Sequence, residues 1–393
     1  MSLRNYLDKL RPQFEKGGKL HAFKSIYDGM DTFLYVPHET SKSGASIHDA
    51  IDSKRIMTFV IIALLPALFF GMYNIGYQTY MTPPAVVGAS FWEMFAYGFL
   101  IMLPKIVVSY AVGLGIEFAV AQYKHEEINE GYLVTGLLIP MIVPIELPLW
   151  MLAVAVAFSV IFVKEIFGGT GMNFFNPALV ARAFLFFSYS GNMTGDKIWI
   201  AKDTFFGLGN PNLTDAVTMA TPLTQASTNQ PFSTTFTDMV VGLMPGSIGE
   251  TSVIAILIGA VILLWTRIAS WRTMLSVFVG GGLVAFLFNS LHIQDNAIAN
   301  IPWYEHLALG GFCFGAVFMA TDPVTSARTE KGKFIYGFFI GALAIIIRVL
   351  NPGFPEGMML AILFMNVWAP FIDYCFVESN IKRRAKRAKS NTL

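Results

Sequence analysis

Residues 91–120 read FWEMFAYGFLIMLPKIVVSYAVGLGIEFAV, an apolar run broken only by the charges of Glu93, Lys105 and Glu117. A helix that crosses a bilayer needs about 20 predominantly apolar residues, and this stretch exceeds that. It is one of ten hydrophobic segments, approximately Ile56–Gly76, Phe91–Val120, Gly131–Val143, Pro148–Val163, Phe174–Tyr189, Ser252–Trp265, Met274–Leu291, His306–Ala320, Phe334–Leu350 and Gly357–Val377. Of the 393 residues 54% are hydrophobic and only 13% are charged, against about 25% charged in soluble domains. The expected fold is therefore all-α: a polytopic membrane protein of about ten transmembrane helices. Several segments fall short of a full span and border Gly/Pro-rich stretches such as Gly168–Gly171. Short and broken helices are tolerated where protein or a cavity shields their backbone, and they commonly mark ligand or ion sites.

Working outward, residues 1–55 form an arm with nine Lys/Arg interleaved with apolar residues such as Phe14 and Leu20, a mixture suited to packing on a partner. Its charge predicts no cleavable signal peptide. The transmembrane halves are residues 56–190 and 252–377, separated by a loop at 191–251 and followed by a basic tail at 378–393. Asn176-Pro177 and Asn351-Pro352 occupy comparable places, compatible with two inverted five-helix halves. With the N-terminus in the cytoplasm, the inner connections hold Lys124, Lys164, Arg267, Arg272, Arg328, Lys331 and Lys333. The outer ones hold only Lys197 and Lys202, so the positive-inside rule puts both termini in the cytoplasm and the 191–251 loop outside. A net charge of +1 gives no ground for a nucleic-acid partner. The two cysteines, Cys313 and Cys375, have no metal-ligand spacing and read as apolar packing residues.

Three features carry chemistry. The outer loop contains Asp215-Ala-Val-Thr218-Met-Ala220-Thr221; Thr221 offers a hydroxyl, which a phosphoester requires, behind a small residue that leaves room for a bulky group. A Ser/Thr-rich surface turn is the plainer reading. Second, Gly168-Gly169-Thr170-Gly171-Met172-Asn173-Phe174-Phe175-Asn176-Pro177 joins two apolar segments. Its glycines admit close backbone approach, and the amides of Asn173 and Asn176 can read the edge of a flat heterocycle; a structural helix break is the alternative. No Lys follows these glycines, which speaks against a phosphate loop. Third, Lys105, Glu117, Arg182, Arg348, Asp322 and Asp373 lie in or at the ends of apolar segments. Such residues are functional candidates: internal ion pairs for Arg182 and Arg348, snorkelling for Lys105, and oxygen ligands for a hard cation from Glu117, Asp322 and Asp373. None of the three carboxylates has a basic neighbour one helical turn away.

The loop motif resembles the flavinylation site of the membrane subunits of Na+-translocating NADH:quinone oxidoreductases and their Rnf relatives, with Met219 departing from the small residue usual there. Together with Asn129-Glu130-Gly131, Pro245-Gly246-Ser247-Ile248-Gly249-Glu250, Thr321-Asp322-Pro323 and Pro355-Glu356-Gly357-Met358-Met359, the resemblance from about Ile56 onward is to the B subunits of the former. The related Rnf D subunits share the core but lack the arm. The resemblance implies a subunit of a sodium-pumping NADH:ubiquinone reductase in the bacterial inner membrane, partnered by subunits A, C, D, E and F, ubiquinone, Na+ and lipid. It implies FMN attached covalently to Thr221 by a flavin transferase, with Asp215, Thr218 and Ala220 as the recognition motif. It further implies riboflavin, bound noncovalently at Thr135, Asn173 and Asn176, a quinone region that includes Gly113, and an ion path past Glu117, Asp322 and Asp373. No G-x-G-x-x-G opens a βαβ unit, so NADH oxidation falls to a partner. A secondary transporter with broken helices would account for the buried charges but not for the loop motif.

Overall fold

The computed structural model describes residues 3–15, 17–18, 20, 24–35, 44, 53–82, 85–86, 88–124, 131–193, 199–212, 220–229, 234–291, 293, 296–351, 353 and 355–390. Two short helices, α1 (Leu3–Phe14) and α2 (Lys24–Leu34), form the arm; Tyr27 donates to the Leu7 carbonyl at 2.8 Å and stacks on Phe14. Next come α3 (Ser53–Met81), α4 (Phe91–Lys124), α5 (Tyr132–Ile142), α6 (Leu149–Ser159) running into a π-helical turn at Val160–Glu165, and α7 (Pro177–Ser188). The 191–251 loop carries α8 (Pro222–Ser227) and α9 (Phe236–Val241). The second half is α10 (Val253–Trp265), α11 (Trp271–Leu291), α12 (Trp303–Ala308), α13 (Phe312–Phe314) running into a π-helical turn at Gly315–Met319, α14 (Glu330–Leu350) and α15 (Met358–Ser390).

Among the described residues five helices, α3, α4, α11, α14 and α15, are long and apolar enough to span a bilayer, and α5, α7 and α10 are shorter apolar helices. Trp92, Phe187, Val261 and Leu291 on these helices are exposed, so large apolar side chains face outward as well as inward. This is the arrangement of a polytopic membrane protein, in which lipid takes the place of water.

Where lipid is as apolar as a core, helices associate through close backbone packing at small residues. Gly98 of α4 lies against the Met72 carbonyl of α3, and Gly76 of α3 against the Met94 carbonyl of α4. Likewise Gly341 of α14 meets the Val277 carbonyl of α11, while Gly280 of α11 meets the Phe338 carbonyl of α14. At each of these four glycines a Cβ would run into backbone of the facing helix. In α10, Gly259 gives the same access to the Ala63 carbonyl of α3.

The charges buried in the apolar segments are committed to partners. Lys105 does not snorkel: its ammonium donates to the Pro144 carbonyl at 2.7 Å and to the Ile145 carbonyl, satisfying acceptors freed where α5 ends. Arg182 pairs with Glu250 and Glu356, as expected of an internal ion pair. Arg348 forms no such pair among the described residues; it donates to the carbonyls of His306 at 2.6 Å and Leu309 at 3.1 Å, bracing the break between α12 and α13. Cys313 is buried with its thiol on the Leu307 carbonyl, whereas Cys375 is exposed on α15 rather than packed inside.

Candidate functional site

Two cavities lie at opposite ends of α10, one beside Thr251 and the other beside Leu263. Thirteen residues separate these ends, or about 20 Å at ~1.5 Å per residue.

The larger cavity, about 290 Å³, contains Thr221. Thr221 is the N-cap of α8, with Pro222 at the first helical position. Its Oγ1 accepts from the Thr224 amide at 3.3 Å and lies 2.9 Å from Thr224 Oγ1. Ala220 precedes it and is half-buried; Asp215 and Thr218 lie outside the described residues. Its lining mixes apolar side chains, from Phe186, Met193, Leu223, Met244 and Leu309, with the polar ones of Arg182, Ser247, Glu250, Thr251 and Glu356. Arg182, reaching in from α7, holds Glu250 at 2.8 Å through one guanidinium nitrogen and Glu356 through the other. The loop that carries Glu250 is pinned from two helices: Asn74 donates to the Met244 carbonyl at 2.9 Å, and the Gly249 amide donates to the Met141 carbonyl at 3.0 Å. Ser252 caps α10, which leaves the neighbouring Thr251 hydroxyl free of that duty.

The second cavity, about 90 Å³, is lined by Thr135, Asn173, Asn176, Thr170 and Asp322, together with Lys164. The sequence-predicted contacts of a second flavin thus converge, although they come from α5, the glycine-rich break and the start of α7. In that break Gly168, Gly169 and Gly171 hold φ near +111°, +92° and +91°, a region that disfavours side chains. Asn176 is already occupied: its Oδ1 accepts from the Ala178 and Leu179 amides as the N-cap of α7, and its Nδ2 faces Asp322 at 3.5 Å. The Asn173 amide donates to the Phe175 carbonyl.

Gly113 lines neither cavity; it seats the Tyr132 ring against α4, where the Tyr132 hydroxyl lies 3.1 Å from Ser109 Oγ. One turn on, Glu117 pairs with Lys164 of the first π-helical turn, both nearly fully buried. The absence of a local basic partner therefore does not leave Glu117 unpaired; its partner comes from another helix. Asp322 accepts from the Val324 amide at 3.1 Å and the Thr325 hydroxyl at 2.9 Å, so it does turn the chain, but it also lines the second cavity. Asp373 accepts from the amides of Arg328 and Thr329 and from the Thr329 hydroxyl, fastening α15 to the start of α14.

Sequence reasoning passed over Glu250, Glu356, Ser247 and Thr251 as site residues, though two of the stretches that carry the resemblance contain all but Thr251. Their signal was the loop chemistry on either side of α10 and α15; what joins them to Arg182 is tertiary.

The family described as NQR2, RnfD, RnfE matches residues 40–382. The chain is 47% identical to the B subunit of the Na(+)-translocating NADH-quinone reductase of Chromohalobacter salexigens, over 98% of this chain and 97% of that one. It is 43% identical to the proteins of that name from Pseudomonas paraeruginosa and Klebsiella pneumoniae, in each case over 98% of this chain and 100% of the relative. With its fold, its two cavities and this near full-length similarity, the chain belongs to the NQR2, RnfD, RnfE family.

Proposed function

We propose that the chain is the B-type membrane subunit of a sodium-pumping NADH:quinone reductase and carries FMN on Thr221. The observation that carries this reading is the placement of Thr221 at a cavity of about 290 Å³ lined by both apolar and polar side chains. Relatives named as B subunits, similar over nearly the whole chain, support it over the Rnf D alternative. The volume is close to the lower end of small-molecule sites, about 300 Å³, and the mixed lining offers apolar and polar groups to a flavin, which has a hydrocarbon end and a heteroatom-rich end. FMN, when bound, supplies the redox chemistry; the chain supplies a nucleophilic hydroxyl, a fixed position and a shielded pocket. In attachment from FAD, the Thr221 oxygen bonds to the FMN phosphorus, the bond to AMP breaks, AMP leaves and the hydroxyl proton goes to the medium. Peptide mass spectrometry tests the reading: an FMN adduct on the Thr221 peptide is expected, and an unmodified peptide from flavin-supplied cells refutes it.

The remaining assignments are part of the same proposal: subunits A, C, D, E and F as partners, ubiquinone as acceptor, and an inner membrane location with both termini cytoplasmic. An engineered cysteine at Thr228 is expected to react with an impermeant reagent from outside. Riboflavin belongs at the inner cavity through Thr135 and Asn173. At about 90 Å³ that cavity is smaller than a tricyclic ring requires, so its walls must part to admit one, and Asn176 acts by capping α7. Asn173→Leu is accordingly expected to remove at least half of the extractable riboflavin while leaving covalent FMN in place; full riboflavin content in this variant counts against the site.

Glu117, Asp322 and Asp373 form the proposed ion path. Among them Asp322 is the carboxylate that faces a cavity. Asp322→Asn keeps the shape and removes the charge, and is expected to raise the Na+ concentration for half-maximal activity by about five- to tenfold, equivalent to ~1–1.4 kcal/mol. Glu117→Gln and Asp373→Asn should act less strongly, because those groups are engaged by Lys164 and by the α14 cap. Unchanged Na+ dependence in all three would make the carboxylates structural.

A further inference from the structure

Two residues that line the larger cavity, Ser247 and Thr251, bury hydroxyls, Oγ and Oγ1, that have no hydrogen-bond partner among the described residues. Both residues are 2% exposed. A hydroxyl buried without a partner costs about 1–3 kcal/mol, so a pair of them at one cavity needs a reason. Looseness is not the reason, because the loop that carries them is fastened to Asn74, Met141 and Arg182. Helix capping is not the reason either, since Ser252 performs it for α10.

We infer that Ser247 and Thr251 are the hydrogen-bonding contacts for the pyrimidine edge of the flavin on Thr221. This rests on the Thr221 reading above. That edge alternates carbonyl oxygens with an N–H, and a hydroxyl can serve either as donor or as acceptor. The Arg182 fork is spent on Glu250 and Glu356, whereas the two hydroxyls among the lining residues are uncommitted. Hydrogen bonds donated to the ring carbonyls strengthen as electron density builds there on reduction, so they favour the reduced ring.

The test uses the intact membrane complex with Ser247→Ala, Thr251→Val and the double variant. The spectrum of the Thr221-linked flavin is isolated as the difference from a Thr221→Ala complex. At a fixed redox poise, the double variant should lower the reduced-to-oxidised ratio of this flavin about tenfold, the worth of two ordinary hydrogen bonds, with band fluorescence retained. Chain made without flavin transferase should be no less heat-stable in the double variant than in wild type, because the hydroxyls removed were unpaired. A retained flavin with an unchanged ratio overturns the inference. So does a changed Na+ dependence with an unchanged ratio, which would make the hydroxyls ion ligands, and so does a destabilised flavin-free chain, which would make them structural. A wild-type band with no covalent flavin overturns the Thr221 reading itself, a result distinguishable from the others at the first gel.

Discussion

Thr221→Ala is expected to leave a dark band on a denaturing gel and to abolish quinone reduction by the assembled complex. The hydroxyl oxygen is the attachment atom in the proposed phosphoester, and alanine has nothing to replace it. The structural cost should be small and local. Thr221 caps α8, which has only six residues, and loss of an N-cap costs about 1 kcal/mol. The two roles separate cleanly. Thr221→Asn keeps a capping acceptor but has no alcohol, so it should assemble and stay dark. Thr221→Ser keeps both, so it should fluoresce. A fluorescent alanine or asparagine variant places the flavin on another residue, and a dark serine variant would mean that the transferase reads more than the hydroxyl.

The second large effect is on assembly. Arg182→Met should strip most of the chain from detergent-extracted complex. Glu250 and Glu356 come from different loops and are both ion-paired to the Arg182 fork. Removing the cation leaves two carboxylates facing each other in a protected site, a loss of ~3–5 kcal/mol for a broken buried pair, out of ~5–15 kcal/mol for a typical domain. Arg182→Lys retains the charge but not the two-pronged geometry, and should fall in between. Adding Glu250→Gln and Glu356→Gln to Arg182→Met removes the stranded charges and should recover much of the yield. Wild-type yield of Arg182→Met would show that the three groups are not coupled.

Much of the architecture was legible because a bilayer imposes length and apolarity on every span. The ten hydrophobic segments coincide with helical stretches, from Phe91–Lys124 to the interrupted run ending at Met319. What escaped was pairing at a distance. Nothing near Glu117 announces Lys164, and Arg348 looked like an ion-pair partner because backbone carbonyls at a helix break leave no trace in composition. Asn176 is a different lesson. Asn followed by Pro is a signature of a helix start, and the amide read as a ligand contact is the cap of α7. Thr221-Pro222 repeats that signature at α8, so the proposed attachment residue has a structural role as well.

The glycine contacts bear on how the molecule can move. Backbones that touch at Gly98 and Gly76, or at Gly341 and Gly280, have no intervening side chains to reshuffle. Such surfaces can separate, but they cannot creep past one another by exchanging rotamers. The α3–α4 and α11–α14 pairs therefore behave as two rigid bodies. Displacement during turnover must be taken up at the seams between them. The lining of the larger cavity belongs to neither pair: it comes chiefly from α7, α8 and the loops before α10 and α15. That cavity can therefore change width while both helix pairs keep their backbone contacts.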